Sequence, residues 1–437
     1  MKLRFYLSLL IAQIAYTFLK ITKLSSGTAI IGLITLKICP NFLIYANDYI
    51  KRAKINITGT NGKTTSTGII SHLIKSSDES VINNAIGGAN MLNGIINALA
   101  LQIKPFKTFN YSIIETDEAF VSKVYERFKG DYLLVTNLFE DQTDRFANPI
   151  ITRDLIQAGI NKNPNVQLIL NANEPISATL ASEKTPIFYG VNSVLDENGN
   201  NINCAQANIV CPKCNKILQY NKNFYAQIGD FNCECGYRTP EIKYVANITL
   251  HKTYSVLNIN GEEFEVPLIG LFNAYNALGA IALAKELGIE NIKDNLKSFK
   301  VAFGRSEKRC LYGHETIIQL IKNPAGTNEV LKTVDLDSNI LIAANNNIAD
   351  GTDISWINQT EFEKLAGVNK EIITCGLCAN EVSERLNKAG VKNIKIIPEI
   401  NKAVEYIGKN ADSNITILTT YTALLKIDKI KEMKKCF

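Results

Sequence analysis

The chain has 437 residues, 46% of them hydrophobic and 20% charged, with a formal net charge of +5. Such a length allows two or three domains with a sizeable core, and the composition excludes a disordered or fibrous chain. The mild basicity suits anionic substrates or an anionic membrane surface, but it is spread along the chain and excludes the concentrated basic footprint of a nucleic-acid binder.

In chain order, the apolar run Phe5–Leu19 comes first, behind Lys2 and Arg4. It imitates a secretory signal, yet Gln13 and Thr17 interrupt it and no small-residue cleavage site is clear. It also falls short of the roughly 20 residues of a spanning helix. The expectation is an amphipathic helix packed on the domain, with an interfacial helix on a membrane as the alternative. Residues 1–50 are read as a helical lead-in.

Ile55-Asn56-Ile57-Thr58 reads as a strand, and Gly68–Ile74 as part of a helix. Between them stand Gly59, Thr60, Asn61, Gly62, Lys63, Thr64 and Thr65. Strand, glycine loop, lysine, hydroxyl and helix form the build of a phosphate-binding loop. Lys63 is expected at the β/γ-phosphates and Thr64 at Mg²⁺, so ATP with Mg²⁺ is the expected ligand. Further strands are predicted at Tyr111–Glu115, Asp131–Asn137 and Val166–Asn171. Ligands in such sheets bind at strand carboxyl ends, where Glu115 is expected as a second Mg²⁺ ligand and where Asn137 also falls.

Segment 204–240 interrupts the rhythm. Cys211 and Cys214 lie 18 residues from Cys233 and Cys235. Two close pairs at that gap read as a structural zinc ribbon, with Cys204 outside the ligand set. The ten cysteines and the nucleotide loop together favour the reducing cytosol. Strand-like material follows (Asn247–Leu257, Glu262–Pro267), then a helix from Asn273 to about Leu287. Asn273 and Asn276 could read a base edge, or Asn273 could simply cap the helix. A second βα series is predicted after a boundary near 300–315, with strands at Thr316–Ile321, Asn339–Ala344, Glu371–Thr374, Ile394–Ile397 and Asn414–Leu418. Its loops Ile321–Gly326 and Asn345–Trp356 carry more polar groups than turns need. Cys375 and Cys378 read as buried thiols at a strand–helix turn rather than a redox pair. The three histidines fall outside every motif, so no Cys–His nucleophile pair is evident.

The short loop Gly59–Thr65 resembles the Mur ligase family. So do Thr136–Phe146, with Gln142 where most relatives carry His, Asn273–Ala280, and Gly304–Glu307. The ribbon, Lys322–Gly326, Asp350–Trp356 and Gly88–Met91 narrow the resemblance to the MurT-type ligase subunits, over about Gly27–Leu425. The resemblance implies an α/β fold. A Mur-ligase-type central P-loop domain with a parallel sheet would cover 51–305 and carry the ribbon at 204–240. A C-terminal Rossmann-like α/β domain would cover 306–437.

It further implies ATP-dependent amidation of the D-glutamate α-carboxylate of lipid II, through an acyl phosphate, during peptidoglycan synthesis. Lys63 and Glu115 would serve catalysis, Arg305 would close on the nucleotide, and zinc would be structural. A GatD-type glutamine amidotransferase would supply ammonia as the partner in a heterodimer. Asp353 matches the acid lent to that partner's Cys–His pair, with Asp350 as the alternative. Asn346 and Asn358 replace aspartates common in relatives. The place of action would be the cytoplasm, at the inner membrane face. Two other readings are an amino-acid ligase resembling folylpolyglutamate synthase and a non-catalytic nucleotide-binding zinc-ribbon regulator.

Overall fold

The computed structural model describes residues 2–22, 28–85, 90–140, 148–204, 208–300 and 305–435. Among them the strands form three sheets. The first contains β1 (Ile50–Thr58), β2 (Val81–Asn83), β3 (Phe109–Glu115), β4 (Tyr132–Val135), β5 (Gln167–Asn171) and β6 (Ile187–Leu195). Successive residues of a strand point to opposite faces, so each strand feeds two cores. Ile57, Ile113, Leu134 and Ile169 join one, under the helices Lys63–Ser76 and Leu271–Glu286. Ile114, Leu133, Val135 and Leu168 join the other, with Leu92–Gln102 and Pro149–Lys162.

After β6 the chain forms the separate hairpin β7 (Gln219–Tyr225) and β8 (Ile228–Asn232), then returns as β9 (Tyr244–Leu250). β6 and β9 are parallel neighbours. The ribbon hairpin therefore lies within the crossover that a helix usually makes. The strand-like run Asn247–Leu257 is in fact two strands. The chain reverses at His251–Tyr254, where the His251 N–H donates to the Tyr254 carbonyl, and β10 (Ser255–Ile259) and β11 (Glu262–Val266) add an antiparallel edge. The sheet order is β11-β10-β9-β6-β5-β4-β1-β3-β2, parallel from β9 to β2.

The other large sheet holds β12 (Arg305–Leu311), β13 (His314–Leu320), β14 (Asn339–Ala343), β15 (Ile372–Cys375), β16 (Ile394–Ile396), β17 (Ile415–Thr419) and β18 (Met433–Lys435). Its order is β16-β15-β14-β17-β13-β12-β18, parallel from β16 to β13. The helix Ala379–Lys388 covers one face through Val382 and Leu386, and Ile400–Asn410 the other through Val404 and Ile407. This is a doubly wound arrangement, with helices on both faces of a parallel core.

The N-terminal helix runs Lys2–Thr22, longer than the apolar stretch that signals it, and by length and composition it could cross a membrane. Phe5, Leu9 and Ala12 sink into the core beside Phe42 and Leu43. The expected packing is there, but the amphipathic outer face is not, because Leu3, Leu7, Leu10, Ile14, Phe18 and Ile21 are exposed. The next helix, Thr28–Ile38, lies so close to Leu92–Gln102 that a Cβ on Gly32 would sit 1.8 Å from the Asn93 carbonyl oxygen. Gly32→Val is expected to force these helices apart and cost about 1–3 kcal/mol. Chemical denaturation measures it, and an unchanged unfolding curve would refute the close approach.

Candidate active site

At the carboxyl end of β1 the backbone turns through Gly59 (φ +124°) and Gly62 (φ +89°). Side chains are disfavoured there by conformation and by space. A Cβ on Gly59 would lie 2.3 Å from Thr136 Oγ1, and one on Gly62 would lie 1.9 Å from Asn276 Oδ1. The helix Lys63–Ser76 starts immediately after. Its first-turn N–H groups and its dipole together make an anion site. Thr64 and Thr65 sit in that first turn.

Lys63 is buried. Its ammonium donates to the Gly59 carbonyl and to Glu118 Oε1 at 2.9 Å. Burial draws its pKa down, but the carboxylates of Glu118 and Glu115 outweigh burial and raise it, so the group stays charged. Burial likewise pushes the Glu118 pKa up, against the pull of Lys63. Nothing local to Glu118 signals that it holds Lys63, 55 residues away.

Glu115 ends β3 opposite Ile57 and is 7% exposed. The Asn84 side chain pins its backbone, accepting its N–H at 2.7 Å and donating to its carbonyl at 2.8 Å. Neither its carboxylate nor the Thr64 hydroxyl forms a hydrogen bond among the described residues. Carboxylate and hydroxyl oxygens together suit Mg²⁺.

Two asparagines brace the loop. Asn137 Oδ1 accepts the Asn61 N–H at 2.9 Å, and its Nδ2 donates to the Asn61 carbonyl at 3.1 Å. An amide that looked available for substrate is therefore spent on the loop. Asn323 reaches across from the other sheet, and the Asn61 and Asn323 side chains exchange hydrogen bonds of 3.3 and 3.2 Å. Asn323 also caps Pro324–Leu331 by accepting the Gly326 N–H. Asn-Pro before a helix signals a cap, but nothing local announces a partner 262 residues away.

Asn276 lies against Gly62, and its carbonyl accepts from Ser66 Oγ at 3.2 Å. Asn273 is buried and donates to the Ile269 carbonyl at 2.8 Å. The helix starts at Leu271 with Gly270 in the cap position, so Asn273 is not the cap. Gly88, Ala89, Gly304 and the segment Asp141–Phe146 lie outside the described residues, as does the side chain of Arg305.

The sulfurs of Cys211, Cys214, Cys233 and Cys235 all lie within 4.8 Å of one another. Cys211–Cys235 is 3.8 Å and Cys214–Cys233 is 3.4 Å, near the about 3.8 Å edge of a tetrahedron with 2.3 Å Zn–S bonds. The Tyr237 N–H draws the Cys235 thiol down to about 7. Cys204 stands apart, facing Phe224 and Lys332. The hairpin tip docks on the main sheet, where Gln227 Nε2 donates to the Leu138 carbonyl at 2.6 Å and to Glu174 Oε1 at 2.7 Å. Leu138 follows Asn137, so the ribbon steadies the segment that braces the loop.

In the other sheet, Asp350 is buried and engaged with the Asn347 N–H and with both the N–H and the hydroxyl of Thr422. Asp353 is half-buried and accepts from the N–H and hydroxyl of Ser355. Burial pushes the Cys375 thiol up to about 12 and Cys378 up to about 11, the opposite of a reactive cysteine. His72 hydrogen-bonds the Asn295 carbonyl and His251 stacks on Tyr254, both away from the loop.

A model of the Mur ligase middle domain matches residues 57–284, and one of the MurT ligase C-terminal region matches 320–424. The chain is 36% identical over 351 residues to the lipid II isoglutaminyl synthase (glutamine-hydrolyzing) subunit MurT of Staphylococcus aureus, covering 78% of each. It is 31% identical over 426 residues to the same-named subunit of Streptococcus pneumoniae, covering 94% of this chain and 93% of that one. A pseudomurein peptide ligase type C from Methanothermus fervidus shares the fold, with a TM-score of 0.69 at 22% identity, over 87% of this chain and 79% of that one.

The Lys63–Glu118 pair is open to a direct test. Glu118→Ala leaves a buried ammonium without its nearest carboxylate and is expected to cost about 3–5 kcal/mol of unfolding free energy. The double substitution Lys63→Met with Glu118→Leu is expected to cost less than the two single losses combined. Urea denaturation of the wild type, Glu118→Ala, the single variants Lys63→Met and Glu118→Leu, and the double variant measures both, and additive losses in the cycle would show that Glu118 does not hold Lys63.

Proposed function

This chain belongs to the MurT family of the Mur ligases, and on that premise we propose that it is the ligase subunit of a glutamine-hydrolysing lipid II isoglutaminyl synthase. It is an ATP-dependent ligase. The observation that carries the detailed reading is the meeting of Lys63, Glu115 and the glycine loop at the carboxyl ends of β1 and β3. The nucleotide half is 51–305, and the half that meets the partner is 306–437.

A carboxylate is a poor electrophile until it acquires a leaving group. Phosphoryl transfer from ATP to the D-glutamate α-carboxylate gives ADP and an acyl phosphate. Ammonia then adds to the acyl carbon, phosphate leaves, and D-isoglutamine remains. Lys63 and the loop N–H groups hold the terminal phosphates, and Glu118 keeps the ammonium aimed. Thr64 and Glu115 would hold Mg²⁺, which neutralises charge on the transferring group. Asn273 and Asn276 would border the nucleotide, a role that the family resemblance also gives to Arg305. Cys211, Cys214, Cys233 and Cys235 would fill the whole shell of a zinc ion, a closed site with a structural role.

Among the described residues no cysteine hydrogen-bonds a histidine, and the family resemblance makes a GatD-type partner the source of ammonia. Asp350 is spent on Asn347 and on the distant Thr422. Asp353, on the accessible side of the same loop, is the better candidate to orient the partner's histidine, as a third group does in such pairs. Lipid II fixes the cytoplasmic face of the membrane as the place of work.

Release of ADP that requires both lipid II and ammonium tests the reaction, and release that requires an amino acid instead would sink it. Lys63→Ala is expected to lower ammonium-driven amidation by about 10²–10³-fold, the usual loss of a preorganised charge partner. Asp353→Asn in the complex is expected to abolish glutamine-driven amidation and spare the ammonium-driven rate. Equal loss of both would move Asp353 into the ligase site. Metal analysis is expected to find one zinc per chain, lost in Cys214→Ser, and a zinc-free wild-type chain would refute the ribbon assignment.

A further inference from the structure

We infer that the N-terminal helices and the Lys104–Lys107 turn form a face that lies in the interfacial layer of an anionic lipid bilayer. On Lys2–Thr22 the exposed residues Leu3, Leu7, Leu10, Ile14, Phe18 and Ile21 recur at steps of three and four, so they line one side of the helix. The opposite side is already buried through Phe5, Leu9 and Ala12. The stripe is therefore a second apolar face, with no partner among the described residues. Ile30 and Leu33 on the neighbouring helix Thr28–Ile38 are exposed as well.

Phe106 adds an independent observation. It sits at the tip of the turn, 97% exposed, with φ at +67°. A bulky residue rarely adopts that conformation, and a phenyl ring gains nothing from standing in water. The ring stacks on Tyr6 with centroids 6.5 Å apart, which joins the turn to the first helix. Lys104 and Lys107 flank it, both exposed.

Charge selects the occupant. Residues 1–47 contain Lys2, Arg4, Lys20, Lys23 and Lys37 and no Asp or Glu; the first acid is Asp48. An apolar strip with aromatic rings and a purely basic fringe complements anionic lipid headgroups over acyl chains. The bases at the two ends of the helix can extend toward headgroups while their stems stay on the strip.

The geometry also decides between lying on the bilayer and crossing it. A crossing would pull Phe5, Leu9 and Ala12 from the core and break the hydrogen bond from Gln13 Nε2 to the Leu101 carbonyl, 2.8 Å long. A consequence rests on the proposed function. The helix Leu92–Gln102 spans about 16 Å between the Phe106 turn and Asn90, whose carbonyl accepts the Asp117 N–H. The acidic loop thus stands one helix length from the lipid-facing turn, a distance suited to an acceptor anchored in the same bilayer.

Co-sedimentation of the full chain with vesicles tests the face. Binding is expected with phosphatidylcholine–phosphatidylglycerol vesicles, weak with phosphatidylcholine alone, and falling as salt rises. Leu7→Glu with Ile14→Glu and Phe106→Glu is expected to keep the wild-type melting temperature and to weaken binding about tenfold or more, as charged residues do at the apolar side of an interfacial helix. Lys104→Glu with Lys107→Glu is expected to weaken only the anionic component. Wild-type protein left in the supernatant with anionic vesicles would overturn the inference, as would unchanged binding by the triple variant. Resistance to alkaline carbonate extraction would replace it with a spanning helix. A dimer lost in the triple variant, without vesicle binding, would assign the face to a second copy. Ammonium-driven turnover of detergent-dispersed lipid II separates the two proposals. The triple variant is expected to retain it, and its absence in a wild-type chain that binds vesicles would sink the enzymatic reading and leave the lipid face standing.

Discussion

A buried ammonium with two carboxylates acting on it is the constraint around which the first sheet's active end is arranged. Lys63 has almost no water, so its charge survives only because Glu118 touches it and Glu115 adds its field. Removing water strengthens each of these interactions and makes each position matter more. The glycines bring the loop carbonyls within reach of the same ammonium. The Asn84 side chain fixes where β3 ends, and with it where Glu115 stands. Much of the local architecture works to keep a few charges in register.

The loop itself is held from three directions. Asn137 braces it from β4, the ribbon steadies the Asn137 segment through Gln227, and Asn323 meets its tip from the second sheet. The last contact couples the two halves. A pair of side-chain hydrogen bonds is weak enough to be remade, since each is worth about 1 kcal/mol net. The ribbon, by contrast, ties its anchor points with buried groups and adds a small core of its own around Phe231 and Tyr237.

Local pattern carried a large part of this. The phosphate loop was legible because strand, glycines, lysine and helix are contiguous, and the cysteine pairs because thiolates at short spacing have few other uses. Strand positions in both series were legible from apolar runs. The limits were also local in cause. Asn247–Leu257 is strand-like throughout, and its division into two strands is not legible because His251–Tyr254 holds neither Gly nor Pro to mark the reversal. The cap alternative for Asn273 rests on the general preference of Asn for that position, yet Gly270 occupies it and Asn273 lies inside the helix.

The chemistry available to this protein, meaning a phosphate loop, an acidic strand end, a thiolate set and two α/β series, was determined by the sequence, because each depends on residues close together in the chain. Tertiary structure alone decided how that chemistry is deployed. Glu118 turns to Lys63, Asn323 pairs with Asn61, Asp350 is consumed while Asp353 is left accessible, and the first helix keeps an apolar side facing out. The physical reason is common to all four. Which polar group finds a partner, and which apolar face finds cover, depends on where distant segments come to rest, and chain spacing carries no record of that.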